Sequence, residues 1–149
     1  MEVEGTEGRC PIDEMVGSRN IAEDKIPDLS CEGACIRGEI ARLPAYVVAK
    51  EEPFARVCQR KLLSVADSAM AQWVQQAEKV MVIDGCFLRC RGRIIENLLE
   101  KDKLIQFDAL SVYKKHSNIF NIDDVQFQDR QQAAEQVSEF ALASLRTGD

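Results

Sequence analysis

The stretch Lys79–Gly92 constrains the fold more than any other part of the chain. It opens with the unbroken apolar run Val80–Ile83, whose length is typical of a strand buried on both faces, as in a parallel sheet. An Asp-Gly pair follows, and glycine permits the tight turn that ends such a strand. Beyond it, apolar residues recur at helical spacing: Ile94, Ile95, Leu98 and Leu99. The stretch therefore predicts strand, turn and helix, with Cys86 and Cys90 on the first turns of that helix, one above the other.

Strand and helix signals alternate along the rest of the chain. Further strand patterns lie at residues 26–30, 54–58 and 105–112, and a helical pattern follows each of them. Strands that alternate with helices pair in parallel through right-handed crossovers. We therefore expect an α/β protein, with a small three-layer α/β/α domain and a mostly parallel sheet of about four strands, over residues 25–149. Residues 1–24 are polar, with scattered glycines, and are expected to form an N-terminal arm or irregular lead-in.

Composition bounds the partners and the compartment. The 149 residues suffice for one domain, and 46% apolar and 30% charged residues are typical of a globular protein. No apolar run approaches the roughly 20 residues of a membrane helix, and the acidic N-terminus lacks the apolar core of a signal peptide. We therefore expect a cytoplasmic protein with no membrane association. The net charge of −6 argues against nucleic acid as a partner. No protein partner is indicated, and a homo-oligomer stays open.

Six cysteines are the main chemical feature of the sequence. A reducing compartment disfavours disulfides, so cysteine clusters there more often bind metal or carry out redox chemistry. The pair Cys31 and Cys35 precedes the first helical pattern, as the pair Cys86 and Cys90 precedes the helical pattern after the central strand. Cys58 stands alone at the end of the weak second strand. Because parallel strands end at one edge of the sheet, we expect five thiols to cluster there: Cys31, Cys35, Cys58, Cys86 and Cys90. Cys10 has no partner at a metal-ligand spacing and is expected to be an uncoordinated thiol.

Such a cluster has several uses. Four thiolates suit a zinc ion or an iron–sulfur cluster, and helix N-termini favour thiolate over thiol. The nearby arginines would offset the charge of a metal–thiolate centre or form a solvated face; they are Arg37, Arg89, Arg91 and Arg93. His116 is the only histidine, which excludes a multi-histidine site. The alternatives without metal are a redox or sulfur-transfer enzyme with Cys86 as nucleophile, or an interaction module with inert thiols. Whether the protein is an enzyme stays open.

The central motif, Asp84-Gly85-Cys86 followed four residues later by Cys90, resembles the motif after which the DGC domain family is named. The resemblance covers about residues 29–115, where a cysteine pair opens the first helix and a lone cysteine precedes the central motif. Zinc binding is attributed to that family from its cysteines. The resemblance therefore implies an α/β fold and a zinc site more than a particular activity.

The chain departs from the family pattern at three points. Its first pair is Cys-x-x-x-Cys where the family usually has Cys-x-x-Cys, no Gly-rich segment follows Cys58, and Phe87 replaces the common proline after Asp-Gly-Cys. These differences indicate a divergent member and leave the exact ligand set open. The preferred ligands are Cys31, Cys35, Cys86 and Cys90, with Cys58 as a fifth candidate.

Overall fold

The structure is a computed structural model that describes residues 7–146. Its sheet has four strands in the order β2-β1-β3-β4, and every neighbouring pair is parallel. The strands are β1 (Ile26–Ser30), β2 (Phe54–Arg56), β3 (Val80–Asp84) and β4 (Leu104–Asp108). The predicted parallel sheet of about four strands is therefore confirmed, although β2 and β4 end earlier than the sequence pattern indicates.

Helices cover both faces of this sheet. Within the described residues they are α1 (Pro11–Ala22), α2 (Ile36–Val48), α3 (Gln59–Ser64), α4 (Ala69–Gln76), α5 (Cys90–Glu96) and α6 (Phe127–Arg146). One core cluster joins α2 and α6 to one face of the sheet, and a second joins α3, α4 and α5 to the opposite face, where α1 packs against α4. The α/β prediction is confirmed, and the helices form a layer on each side. No helix of the described residues has both the length and the apolar character needed to cross a membrane.

The central strand shows why its sequence is apolar without alternation. All five residues of β3 are buried. Met81 and Ile83 contribute to the core under α2 and α6, whereas Val80 and Val82 contribute to the core on the other side. Because side chains alternate between the faces of a sheet and both faces are covered here, the run Val80–Ile83 is apolar without alternation, and the buried Asp84 ends the strand.

Helix α1 lies in the segment expected to be an N-terminal arm or irregular lead-in, so the expectation of irregular structure is wrong for residues 11–22. Hydrophobic periodicity does not reveal the helix, because it buries Gly17 and Asn20 instead of an apolar stripe. A Cβ at Gly17 would lie 2.6 Å from the backbone carbonyl carbon of Ala69, so α1 approaches the start of α4 closely. A division of the chain near residue 24 stays a prediction, and residues 1–6 and 147–149 lie outside the described part.

Candidate functional site

Four of the five predicted site cysteines line one cavity of about 510 Å³. Cys31 directly follows β1, and Cys35 is the N-cap residue of α2. Cys86 lies in the turn after β3, and Cys90 is the first residue of α5. The cavity therefore opens at the carboxyl ends of two adjacent parallel strands, where α/β proteins place their sites. The thiol of Cys90 belongs to an exposed residue, whereas the other three cysteines are half-buried.

The placement of Cys86 corrects one expectation. The sequence pattern puts both thiols of the central pair on the first turns of one helix, but α5 begins only at Cys90. Arg89 has a left-handed backbone with φ of 51°, which turns the chain before the helix starts. Cys86 and Cys90 consequently belong to a turn and a helix start, and they do not stack on one helical face.

Asp84 determines where α5 begins. Its Oδ1 accepts hydrogen bonds from the backbone N–H groups of Arg91, at 3.1 Å, and of Gly92, at 3.2 Å. These N–H groups have no partner within the helix, so a carboxylate that reaches them acts as a cap. Burial raises the pKa of Asp84, although these two hydrogen bonds lower it in part. Asp84 is therefore a local hydrogen-bond acceptor at the start of α5.

We expect Asp84→Ala to lower the free energy of unfolding by about 1–2 kcal/mol, because two helix N–H groups lose their acceptor. Asp84→Asn keeps an oxygen at the same place without the buried charge and should cost less. Urea denaturation of both variants measures the difference. Equal stability of Asp84→Ala and the unaltered chain would contradict the capping role.

Gly85 allows the turn to approach α2. A Cβ at this position would lie 2.1 Å from the carbonyl oxygen of Arg37, closer than nonbonded atoms can come. The Asp-Gly-Cys sequence thus has three separate local roles: the aspartate caps α5, the glycine lets the turn contact the first turn of α2, and the cysteine reaches the cavity.

Backbone amides surround the thiol of Cys31. Burial raises the pKa of Cys31, hydrogen bonds from the N–H groups of Gly33 and Gly85 lower it in part, and the charges of Asp84 and Cys90 raise it further. The net effect is upward, so Cys31 stays a thiol more readily than an ordinary cysteine. Cys31 and Cys90 belong to different pairs and line the same cavity.

Cys58 does not line the four-cysteine cavity. It lines a separate cavity of about 380 Å³, together with Asp13 and Gln59. The thiol packs against the core between the sheet and α4, whereas Cys31 packs against the core under α2. Burial raises the pKa of Cys58, and a hydrogen bond with Asp13 raises it further. Although β2 lies beside β1, the thiols that follow these two strands face opposite sides of the sheet.

The rest of the cavity wall was not evident from the sequence. The loop between β4 and α6 contributes residues 117–120, and the backbone N–H of Ile36 donates to the carbonyl oxygen of Ile119 at 3.1 Å. Arg37 donates through Nε to the carbonyl oxygen of Ser117 at 2.8 Å. The sequence shows only a polar loop here, and its position over α2 depends on where β4 lies in the sheet.

The thiols are not arranged as a closed metal site in this structure. Between residues 7 and 146, no three His, Cys, Asp or Glu side chains converge closely enough to hold a metal ion. All six cysteines are free thiols. The cavity thus collects four soft sulfur ligands in one space without fixing a coordination geometry.

The fold and the cysteines at the carboxyl ends of β1 and β3 define the class of protein. It is a small parallel α/β protein with cysteines at two strand-to-helix junctions. The model of the DGC domain matches residues 29–137, and the chain belongs to the DGC domain family. No curated protein and no solved structure matches the chain. The suspected family is therefore confirmed, and membership favours a metal-binding role.

Proposed function

We propose that this protein binds a zinc ion through thiolates of Cys31, Cys35, Cys86 and Cys90. One observation carries the proposal: four thiols from two distant parts of the sequence line the same cavity. Four thiolates form a typical tetrahedral zinc ligand set. Cys58 lines a different cavity and is excluded from the ligand set that we propose.

The donor types fit zinc, and the sulfur positions would have to close around it. Each pair has one cysteine in the segment after a strand and one at the start of a helix. Rotation about χ1 moves a sulfur without moving the backbone. Side-chain rotation is therefore the movement by which the four sulfurs would approach a zinc ion. When bound, zinc would link the segment after β1 to the turn after β3 and would add its binding energy to folding.

Metal handling and a structural zinc would both use this ligand set. Four protein thiolates leave no open coordination position, as in structural zinc sites, whereas the exposed Cys90 and the open cavity give a metal access to the site. Free thiols throughout the described chain agree with a reducing compartment, and the cytoplasm is the location that we propose.

Cysteine variants test the proposal. Cys86→Ser and Cys90→Ser should lose bound zinc and stability together, because binding to the folded state stabilises by about 2.7 kcal/mol when free zinc exceeds Kd 100-fold. Cys10→Ser and Cys58→Ser are the matched controls and should keep both. Zinc content by elemental analysis and thermal unfolding with and without zinc give the two readouts. Loss of zinc in Cys10→Ser with retention in Cys90→Ser would overturn the ligand set.

Two alternatives use the same thiols. An iron–sulfur cluster also takes four thiolates, and a redox or sulfur-transfer enzyme would use Cys86 as nucleophile. The open cavity favours a redox or sulfur-transfer enzyme over an interaction module with buried, inert thiols, since a substrate can reach the sulfur. An anaerobic preparation separates these readings: visible absorption with iron indicates a cluster, a colourless protein with zinc supports our proposal, and a metal-free protein that accumulates persulfide on Cys86 indicates sulfur transfer.

A further inference from the structure

The cavity lies in the basic part of an acidic protein. Residues 85–95 and 109–122 flank it and contain no Asp or Glu, although the chain has 25 of these residues. The same two segments carry three arginines and two lysines. These two segments therefore carry a net charge of +5, with His116 counted neutral, whereas the whole chain carries −6. Such a field attracts anions to the cleft.

Two arginines of the cavity wall lack carboxylate partners within the described residues. Arg91 lines the cavity, and its Nη1 is buried without a hydrogen-bond acceptor. Arg37 also lines the cavity and uses its Nε on a backbone carbonyl, but it forms no ion pair. Glu32 is the one carboxylate of the wall, and its Oε1 accepts instead from Arg56 and Gln59. An anion in the cavity would supply the negatively charged partner that Arg37 and Arg91 lack among the described residues.

Part of the cavity wall is apolar and accessible. Leu88, Ile94 and Phe120 line the cavity while they stay 47%, 42% and 66% exposed. A volume of about 510 Å³ lies within the range of about 300–1,000 Å³ for small-molecule sites and far exceeds the space that one metal ion fills. Exposed apolar walls beside a few convergent polar groups are typical of such sites.

We propose that this cavity binds a small organic anion with an apolar body. Its carboxylate, sulfonate or phosphate group contacts Arg91 and Arg37, and its apolar part packs against Leu88, Ile94 and Phe120. The inference rests on the proposed function only in its location, since the anion shares the cavity with the four thiols. It adds a ligand class to a site for which the thiols alone indicate only a metal.

Phenylacetate and its neutral analogue phenylacetamide are the probes. The full chain, purified under reducing conditions, is titrated with each and followed by amide chemical shifts in 1H–15N spectra. Saturable binding of phenylacetate is expected, with the largest shifts near residues 88–94 and 117–120, and phenylacetamide should bind at least about tenfold more weakly. No saturable binding, or equal binding of the two probes, would overturn the proposal.

Arg91→Met has a matched control in Arg93→Met, which removes the same charge from an exposed position of the same helix. Arg91→Met should weaken phenylacetate binding about tenfold or more, Arg91→Lys should weaken it less, and Arg93→Met should change it by no more than about twofold. If Arg91→Met and Arg93→Met weaken phenylacetate binding equally, the effect comes from general electrostatics, and the proposed contact between Arg91 and the anion is overturned. Zinc content of the same samples is measured separately, so a chain that binds phenylacetate without zinc contradicts only the proposed function.

Discussion

Asp28→Asn is expected to remove a large pH dependence from the stability of this protein. Asp28 is completely buried in β1, the strand between β2 and β3, and neither carboxylate oxygen has a hydrogen-bond partner among the described residues. Burial raises the pKa of Asp28 to about 8, although the charge of Arg56 lowers it in part. The side chain is therefore mainly protonated in the folded protein at neutral pH, and ionised in the unfolded chain, where the pKa is about 3.9.

The sign follows from proton binding. Between pH values of about 4 and about 8 the folded state binds one proton more than the unfolded state, so the free energy of unfolding falls as pH rises. The fall is at most ~1.4 kcal/mol per pH unit for one group, and it is on the order of 5 kcal/mol over the whole range. The stabilising contribution of protonated Asp28 is fully present below the pKa of the unfolded chain. It is lost as pH rises through the pKa of the folded protein.

Urea denaturation at several pH values measures this effect. Asp28→Asn removes the titration, so it should be more stable than the unaltered chain at pH 8 and close to it near pH 4. Asp102→Asn is the control, because Asp102 is exposed and should leave the slope unchanged. The same slope in Asp28→Asn and the unaltered chain would show that Asp28 is already ionised in the folded state.

Much of this architecture follows from short-range patterns. The apolar run of β3 and the regular alternation of strands and helices predict a parallel sheet, because helices must cover both of its faces. The same alternation places Cys31 and Cys86 at one edge, since all strands point the same way. These features depend on periodicity and chain direction, which a single sequence contains.

Other features depend on contacts between distant residues. Helix α1 buries a glycine against α4, and a close backbone approach produces no apolar period. Cys58 is separated from the other thiols because its side chain packs on the opposite face of the sheet from Cys31, and the sequence does not define the direction of a loop side chain. The wall formed by residues 117–120 likewise depends on which edge of the sheet β4 occupies.

The second large effect is expected from Gly85→Ala, which changes no cysteine. The added Cβ would lie 2.1 Å from the carbonyl oxygen of Arg37 and 2.6 Å from its carbonyl carbon, and both of these atoms belong to the backbone. Backbone atoms cannot rotate away as a side chain can, so the turn after β3 must separate from α2. We expect a loss of about 3 kcal/mol in the free energy of unfolding.

Gly33→Ala is the matched control. A Cβ at Gly33 would meet only the sulfur of Cys31, at 3.6 Å, which is an ordinary van der Waals contact. This substitution should change stability by no more than about 1 kcal/mol. Both variants keep all six thiols, so differences in zinc binding between them would report the positions of the thiols and not their number.

Separation of the turn from α2 moves Cys86 relative to Cys35, because the two residues belong to the segments that Gly85 holds together. If the four thiols act together on zinc, Gly85→Ala should therefore bind it more weakly than Gly33→Ala, under conditions where far-UV circular dichroism shows that both are folded. Equal stability of the two variants would contradict the close contact between the turn and α2. Unequal stability with equal zinc affinity would keep that contact and instead contradict the joint action of the four thiols.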